Sequence, residues 1–148
     1  VRKLHRKYTG VHPGAKKIYR PMIAVYIDES GSVSNKELAA FYAELDNLSR
    51  NTDFYLYKFD HSVDDKGGFL WKKNKRPNIH RSLTGGTSFK AVSNHAIKNK
   101  RKFDGYIVLT DGGAPKPGPS FRMKRCWILA KNCKLAFEAD KSDVTINM

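Results

Sequence analysis

Two short runs constrain this chain more than anything else in it. Met22-Ile-Ala-Val-Tyr-Ile27 and Gly105-Tyr-Ile-Val-Leu-Thr110 are almost unbroken stretches of β-forming apolar residues, and each runs directly into an aspartate, Asp28 and Asp111. A strand with one wet face alternates polar and apolar. A strand buried on both faces reads as a continuous apolar run and belongs to a parallel sheet covered by helices. The segments between and around the two runs supply the rest. Ser34 followed by Glu37 is a capping-box pattern, and Leu38, Phe41, Leu45 and Leu48 then form one stripe of a helix reaching about Ser49. Asp53–Asp60 alternates as a strand. Asp64–Gly68 is a turn cluster, so Gly68–Lys72 returns as a hairpin partner. Thr84-Gly-Gly-Thr-Ser88 introduces a second helix to about Lys100, with Phe89, Val92 and Ala96 on one side. Cys126–Ala130 and Lys134–Glu138 read as short late strands, opened by or near the two cysteines, Cys126 and Cys133. The expected fold is α/β and three-layered: a mostly parallel central sheet with one antiparallel edge hairpin strand. A chain of 148 residues is long enough to bury roughly 70% of its unfolded surface in one such domain.

In open parallel sheets, ligands bind where the strands deliver their carboxyl ends. Three polar loops meet there: Asp28-Glu-Ser-Gly-Ser32, Thr84-Gly-Gly-Thr-Ser88 and Thr110-Asp-Gly112. They offer two carboxylates, several hydroxyls and no sulfur or imidazole. An oxygen-only shell of that kind suits a small hard cation such as Mg²⁺ or Mn²⁺, with Ca²⁺ a further candidate. Gly31, Gly85, Gly86 and Gly112 would let the backbone turn tightly around it.

Asp-x-Ser-x-Ser after an apolar strand, Gly-Gly-Thr opening a helix, then apolar strand-Thr-Asp-Gly resembles the metal-ion-dependent adhesion site (MIDAS) of von Willebrand factor type A (VWA) domains. The resemblance covers roughly residues 21–140. It is most similar to the intracellular VWA-like domain at the C-terminal end of bacterial and phage proteins whose N-terminal part resembles a metallopeptidase. The stretch from Gly85 through Trp127 carries that finer placement. The resemblance implies a VWA/Rossmann-like sheet and a binding module rather than an enzyme. It implies that Ser30 and Ser32 bind the metal through their hydroxyls, that Thr87 joins directly or through water, and that Asp28 and Asp111 hold bound waters. An acidic side chain of a partner protein would complete the coordination. By family analogy, partners include an AAA+ ATPase of the MoxR type or a preceding metallopeptidase domain. Glu29, inside the first motif, adds a charge that faces solvent or perturbs the site.

Other function classes are weighed against the same residues. A haloacid-dehalogenase-like phosphatase needs a second acid two residues after the first-strand aspartate, and that position is Ser30. A Mg²⁺-dependent nuclease would draw on Asp28, Asp60 and Asp111, but two-metal chemistry needs bridging carboxylates that hydroxyl-rich motifs supply poorly. The third alternative, a nucleic-acid-associated VWA domain of the Ro type, rests on charge. Lys plus Arg total 28 against 14 Asp plus Glu, a formal charge of +14, and such a chain attracts polyanions, here as nonspecific nucleic-acid contact. Residues 1–20 hold seven of the cations and no acid and read as a basic arm or linker ahead of a domain spanning 21–148. Further cations recur in Lys66–Arg81, Lys90–Lys102 and Lys116–Lys134 as mostly solvated surface. His5, His12, His61, His80 and His95 lack zinc-ligand spacing and are expected in solvated or capping roles. Two cysteines without Cys-x-x-Cys spacing point to structural thiols in a reducing compartment. Trp71 and Trp127 sit in strand-like runs as packing residues. No secretory leader opens the chain, and no apolar run is long enough to span a membrane, so a cytoplasmic location without membrane contact is expected.

Overall fold

The computed structural model describes residues 21–73, 75, 77, 81–120 and 123–148; the arm of residues 1–20, with His5 and His12, lies outside them, as does His80. In chain order the elements are β1 (Ile23–Asp28), α1 (Asn35–Ser49), β2 (Phe54–Phe59), β3 (Phe69–Trp71), α2 (Phe89–Lys98), β4 (Gly105–Thr110), β5 (Lys124–Leu129) and β6 (Val144–Asn147). They form a six-stranded sheet in the order β3-β2-β1-β4-β5-β6. Every neighbouring pair is parallel except β2–β3, where Phe54 faces Trp71 across an antiparallel hairpin.

The two apolar runs are the two central strands, β1 and β4, as their composition demands. Ala24, Val25, Tyr26 and Ile27 are wholly buried. Alternate residues of β1 feed two separate cores. Ala24 and Tyr26 pack with Tyr57, Phe59 and Tyr106 under Phe89, Val92 and Ala96 of α2. Val25 and Ile27 pack with Phe54, Leu56 and Trp71 under Leu38, Phe41, Tyr42 and Leu45 of α1. Each such large apolar side chain contributes about 1.5–3 kcal/mol on burial. The capping box forms as read: Glu37 N–H donates to Ser34 Oγ, and Ser34 N–H donates to the Glu37 carboxylate. Trp71 and Trp127 are both core residues.

Three expectations are corrected. Residues 134–138 form no strand. Leu135, Phe137 and Ala139 do point inward at period two, Phe137 against the rings of Phe89 and Trp127, but the segment crosses the sheet top, where Ala136 N–H donates to Gly112 O. The last strand is instead Val144–Asn147, an exposed edge strand parallel to β5. Cys126 therefore lies inside β5, which starts at Lys124, and Cys133 lies beyond its end; both thiols are free. Arg125, counted among the solvated cations, is buried. Its guanidinium donates to Asp143 (2.8 Å) and Asp140 (3.0 Å), while Trp127 Nε1 donates to Asp143.

Because five strands run parallel and both helices return antiparallel to them, the domain has two distinct poles. The carboxyl ends of β1, β2 and β4 deliver Asp28, Asp60 and Asp111 to one. The strand starts and helix ends lie at the other.

Candidate functional site

Asp28 closes β1 with no exposed surface. Its Oδ1 accepts from Ser30 N–H at 2.8 Å, and its Oδ2 accepts from the Thr110 hydroxyl at 2.6 Å. Thr110 Oγ1 in turn accepts from Gly112 N–H at 3.1 Å, so one carboxylate knits the ends of β1 and β4 together. Burial pushes the Asp28 carboxyl above the ordinary carboxylate range. Hydrogen bonds from Ser30 and Thr110 draw it back, and the neighbouring Asp111 charge raises it again. Two carboxyl groups thus lie near enough to interact at the sheet's carboxyl pole.

The loop after Asp28 carries the hydroxyls. Ser30 Oγ lies 3.2 Å from Ser32 Oγ, the first buried and the second exposed. Gly31 N–H donates to Gly85 O at 2.9 Å, which ties this loop to the Gly-Gly-Thr loop. Asp60, at the end of β2, holds that second loop: its Oδ2 accepts from Gly85 N–H, and its carbonyl accepts from Ser88 N–H, the N-cap of α2. A Cβ at position 85 would stand 2.7 Å from Asp60 Oδ2 and 2.8 Å from His61 Nδ1, so a larger residue there would displace the Asp60 carboxylate that holds this loop. Position 112 requires glycine twice over, with φ +85° and Lys134 O 2.3 Å from any Cβ. Gly86 stands in open space instead.

One residue at this site escaped the sequence reading, and a second departs from it. Arg81 donates from its guanidinium to the carbonyls of Glu29 (2.9 Å), Ser30 (3.1 Å) and Val33, and to Asn35 Oδ1 (3.1 Å). It clamps the loop bearing Ser30 and Ser32 from behind. As a lone arginine in a basic stretch, it gives no local signal of that role. Glu29 does not face solvent. It is fully buried, accepts from the backbone N–H of Ser82 and Leu83, and pairs with Lys58 at 3.5 Å. Its charge therefore anchors the 80s segment rather than entering the site. His95 also departs from its expected solvated role, as it bridges the buried Tyr26 hydroxyl (2.7 Å) and Asp65 (2.6 Å).

Of the five sequence-derived metal residues, Asp28, Ser30 and Ser32 form one hydrogen-bonded set, and Asp111 acts electrostatically on Asp28. Asp111 Oδ1 accepts from Gly113 N–H. Thr87 is half-buried, next to the N-cap of α2. The donors are oxygens only, and the carboxylates are few. Among the described residues, no group of three or more His, Cys, Asp or Glu is placed to hold a metal. Asp28, Asp60 and Asp111 therefore make no carboxylate cluster of the kind a two-metal nuclease needs. The hydroxyl-plus-anion set fits a hard cation that leaves coordination positions open.

Comparison with known proteins places this architecture. A protein of Thermotoga maritima described as uncharacterized is 29% identical over 115 residues, which are 76% of this chain and 28% of that protein. The chain thus spans little more than a quarter of that relative's length. Among solved structures, the conserved hypothetical protein BatB from Bacteroides thetaiotaomicron superposes with a TM-score of 0.61 at 10% identity, covering 87% of this chain and 90% of that one. An aerotolerance-related membrane protein from Bacteroides fragilis, carrying multiple mutations to serine, gives 0.56 at 14% identity over 82% and 75%. Those two likenesses concern the fold. Among the described residues of this chain, no helix is long and apolar enough to cross a membrane. With a sequence profile matching residues 23–137, the chain belongs to the family of the VWA-like domain (DUF2201).

Proposed function

We propose that this domain is a metal-dependent protein-interaction module of the MIDAS type, in which a divalent cation at the carboxyl pole bridges to an acidic side chain of a partner. The carrying observation is the Asp28 carboxylate. It is fully buried, both its oxygens are hydrogen-bonded, and the charge of Asp111 at the neighbouring strand end raises its pKa further. A cation beside this pair relieves the repulsion. Ser30 and Ser32 would hold it through their hydroxyls, Thr87 directly or through water, and Asp28 and Asp111 through bound water. With so few direct carboxylates the ion stays electron-poor and seeks an external anion. The chemistry the ion supplies is a bridge, and among the described residues at the site none is arranged as a nucleophile with its base. Mg²⁺ or Mn²⁺ is the favoured ion, with Ca²⁺ a third choice. The likeness of the motifs to intracellular VWA-like domains suggests a cytoplasmic setting, with a MoxR-type AAA+ ATPase or a metallopeptidase domain of the same polypeptide as the partner.

Thermal melts test the reading. An ion at a hundred times its dissociation constant adds about 2.7 kcal/mol, or roughly 8 °C for a domain of this size. Wild type should therefore melt higher in millimolar Mn²⁺ than in chelator, and Asp111→Ala should melt alike in both. Coincident wild-type curves with all three ions would remove the proposal.

A further inference from the structure

The opposite pole of the sheet has a chemistry of its own. Five strands begin there and both helices end there, so the topology gathers residues that are scattered in sequence. Arg50 caps the end of α1. Lys72 and Lys73 leave β3, and Lys124 opens β5. Lys98, Lys100, Arg101 and Lys102 end α2 and turn towards β4. All eight are exposed. The exposed acids near them are Asp53, Asp104, engaged by Met22 N–H, and Asp65, bonded to His95 and near enough to Lys98 and Lys102 for their charges to lower its pKa, with Asp46 one helical turn further up. Among the described residues, none of the eight cations lies in an ion pair within 4 Å; those pairs use Lys58, His61, His95, Lys116 and Arg125 instead. The acids of the carboxyl pole, Asp28, Glu29 and Asp60, are buried and Asp111 is half-buried, and that pole carries exposed cations of its own in Lys36, Lys131 and Lys134. The two poles lie about 17 Å apart for six-residue strands, so the eight amino-end cations form a surface separate from the carboxyl-pole site.

A structural role explains only part of this. Cations at a helix C-terminus complement its dipole, which accounts for Arg50 and Lys98. It does not account for Lys72, Lys73, Arg101 or Lys124, which sit on strand ends and a turn. From β3 to β5 the cations span four strand spacings, about 19 Å. That is a surface for a polymer of phosphates rather than a pocket for one. The basic residues 1–20, seven cations and no acid, join the fold at Pro21, on this same pole.

We infer that this amino-end pole docks the phosphate backbone of duplex nucleic acid, independently of the metal site. Duplex is favoured because no aromatic side chain is among the exposed large hydrophobics of the described residues. Single-strand binders need such rings as stacking platforms, whereas phosphate contacts alone position a protein on a duplex without reading sequence. A membrane surface is disfavoured for a related reason. Among the described residues the exposed large hydrophobics are Val144 and Ile146, on the edge strand, and of these Val144 alone opens its strand at this pole, too little apolar surface to insert between lipids.

The test uses the full 148-residue chain and a labelled 20-base-pair DNA duplex, titrated by anisotropy across a NaCl series in EDTA. Each phosphate neutralised contributes about −0.9 to the slope of log affinity against log salt. The triple reversal K98E/K100E/R101E should flatten that slope by about 2.7 and weaken binding at least tenfold at low salt. K36E/K131E/K134E changes net charge equally at the carboxyl pole, and should weaken binding by less than threefold. If circular dichroism shows the first triple misfolded, K100Q/R101Q takes its place, with about 1.8 expected from the slope. Equal losses from both triples would mean bulk charge without a site and would overturn the inference. So would binding that EDTA abolishes, or tighter binding to phosphatidylserine vesicles than to the duplex.

Discussion

Arg81 and Ser32 lie on opposite sides of one loop and separate its scaffold from its ligands. Arg81 reaches three carbonyls of that loop and the side chain of Asn35, while Ser32 is exposed and bonds only its neighbour Ser30. Arg81→Ala removes a planar fork that lysine cannot reproduce and costs about 2 kcal/mol, the value of hydrogen bonds from a charged donor. The melting temperature in chelator should fall by about 6 °C, and the Mn²⁺-dependent shift should shrink because the loop no longer holds its shape. Ser32→Ala should leave the chelator curve within the ~0.5 kcal/mol typical of exposed sites while abolishing the Mn²⁺ shift. The reverse pattern would make Ser32 structural and Arg81 dispensable. Asp28, Ser30, Ser32, Thr87 and Asp111 could be named from sequence because each motif is contiguous and lies at a strand end. Arg81 and the burial of Glu29 could not be. Both depend on the segment after β3 folding back beneath the first loop, over more than fifty residues of separation, and no local pattern encodes that return.

At the scale of elements, what was legible had a local cause. The capping box fixes the start of α1, and doubly buried strands declare themselves by unbroken apolar runs, as β1 and β4 do. Residues 134–138 show where periodicity misleads. Leu135 and Phe137 alternate as a strand would because they line the edge of a core, yet strand pairing is decided by backbone partners that alternation does not report. β6 shows the converse: Val144-Thr-Ile-Asn147 does alternate, but over four exposed residues, too short a run to separate a strand from a turn without its backbone partner in β5. The link between the loop after β2 and α2 is likewise tertiary, running through Asp65, His95 and Tyr26. The hydrogen bond from His95 holds the Asp65 carboxyl below the ordinary range, against desolvation and with help from the charges of Lys98 and Lys102. A carboxyl whose folded pKa is depressed stabilises the fold above its unfolded pKa, and that contribution is lost as pH falls through the folded value. Asp65→Asn should therefore lower the melting temperature near neutral pH, and the gap to wild type should close as pH drops below about 4. A gap that stays constant from pH 7 to pH 2.5 would show that the contact acts by packing alone.

For the molecule as a whole, the formal charge of +14 carries an energetic penalty, because excess charge of one sign destabilises a compact state by self-repulsion. At the amino-end pole the acids offset it only in part, through Asp53, Asp65 and Asp104. Asp140 and Asp143 are committed to Arg125, Glu29 pairs with Lys58, and Asp28 and Asp111 lie at the far pole. Eight exposed cations remain crowded across about 19 Å of the amino-end pole. Screening lengths separate the two scales of repulsion. At 0.01 M salt the Debye length is about 30 Å, longer than the strand axis, so every cation feels the whole molecule. At 0.1 M it is about 10 Å and only neighbours within a pole still repel, and at 1 M, about 3 Å, even those are screened. The melting temperature in chelator should therefore rise from 0.01 to 0.1 M NaCl and rise again towards 1 M, the second step reporting the crowded pole. In K98E/K100E/R101E the second step should be largely lost, while in K36E/K131E/K134E it should persist. A wild-type melting temperature that falls with salt would mean that the ion pairs outweigh the repulsion, and the crowded basic pole would then need no functional account.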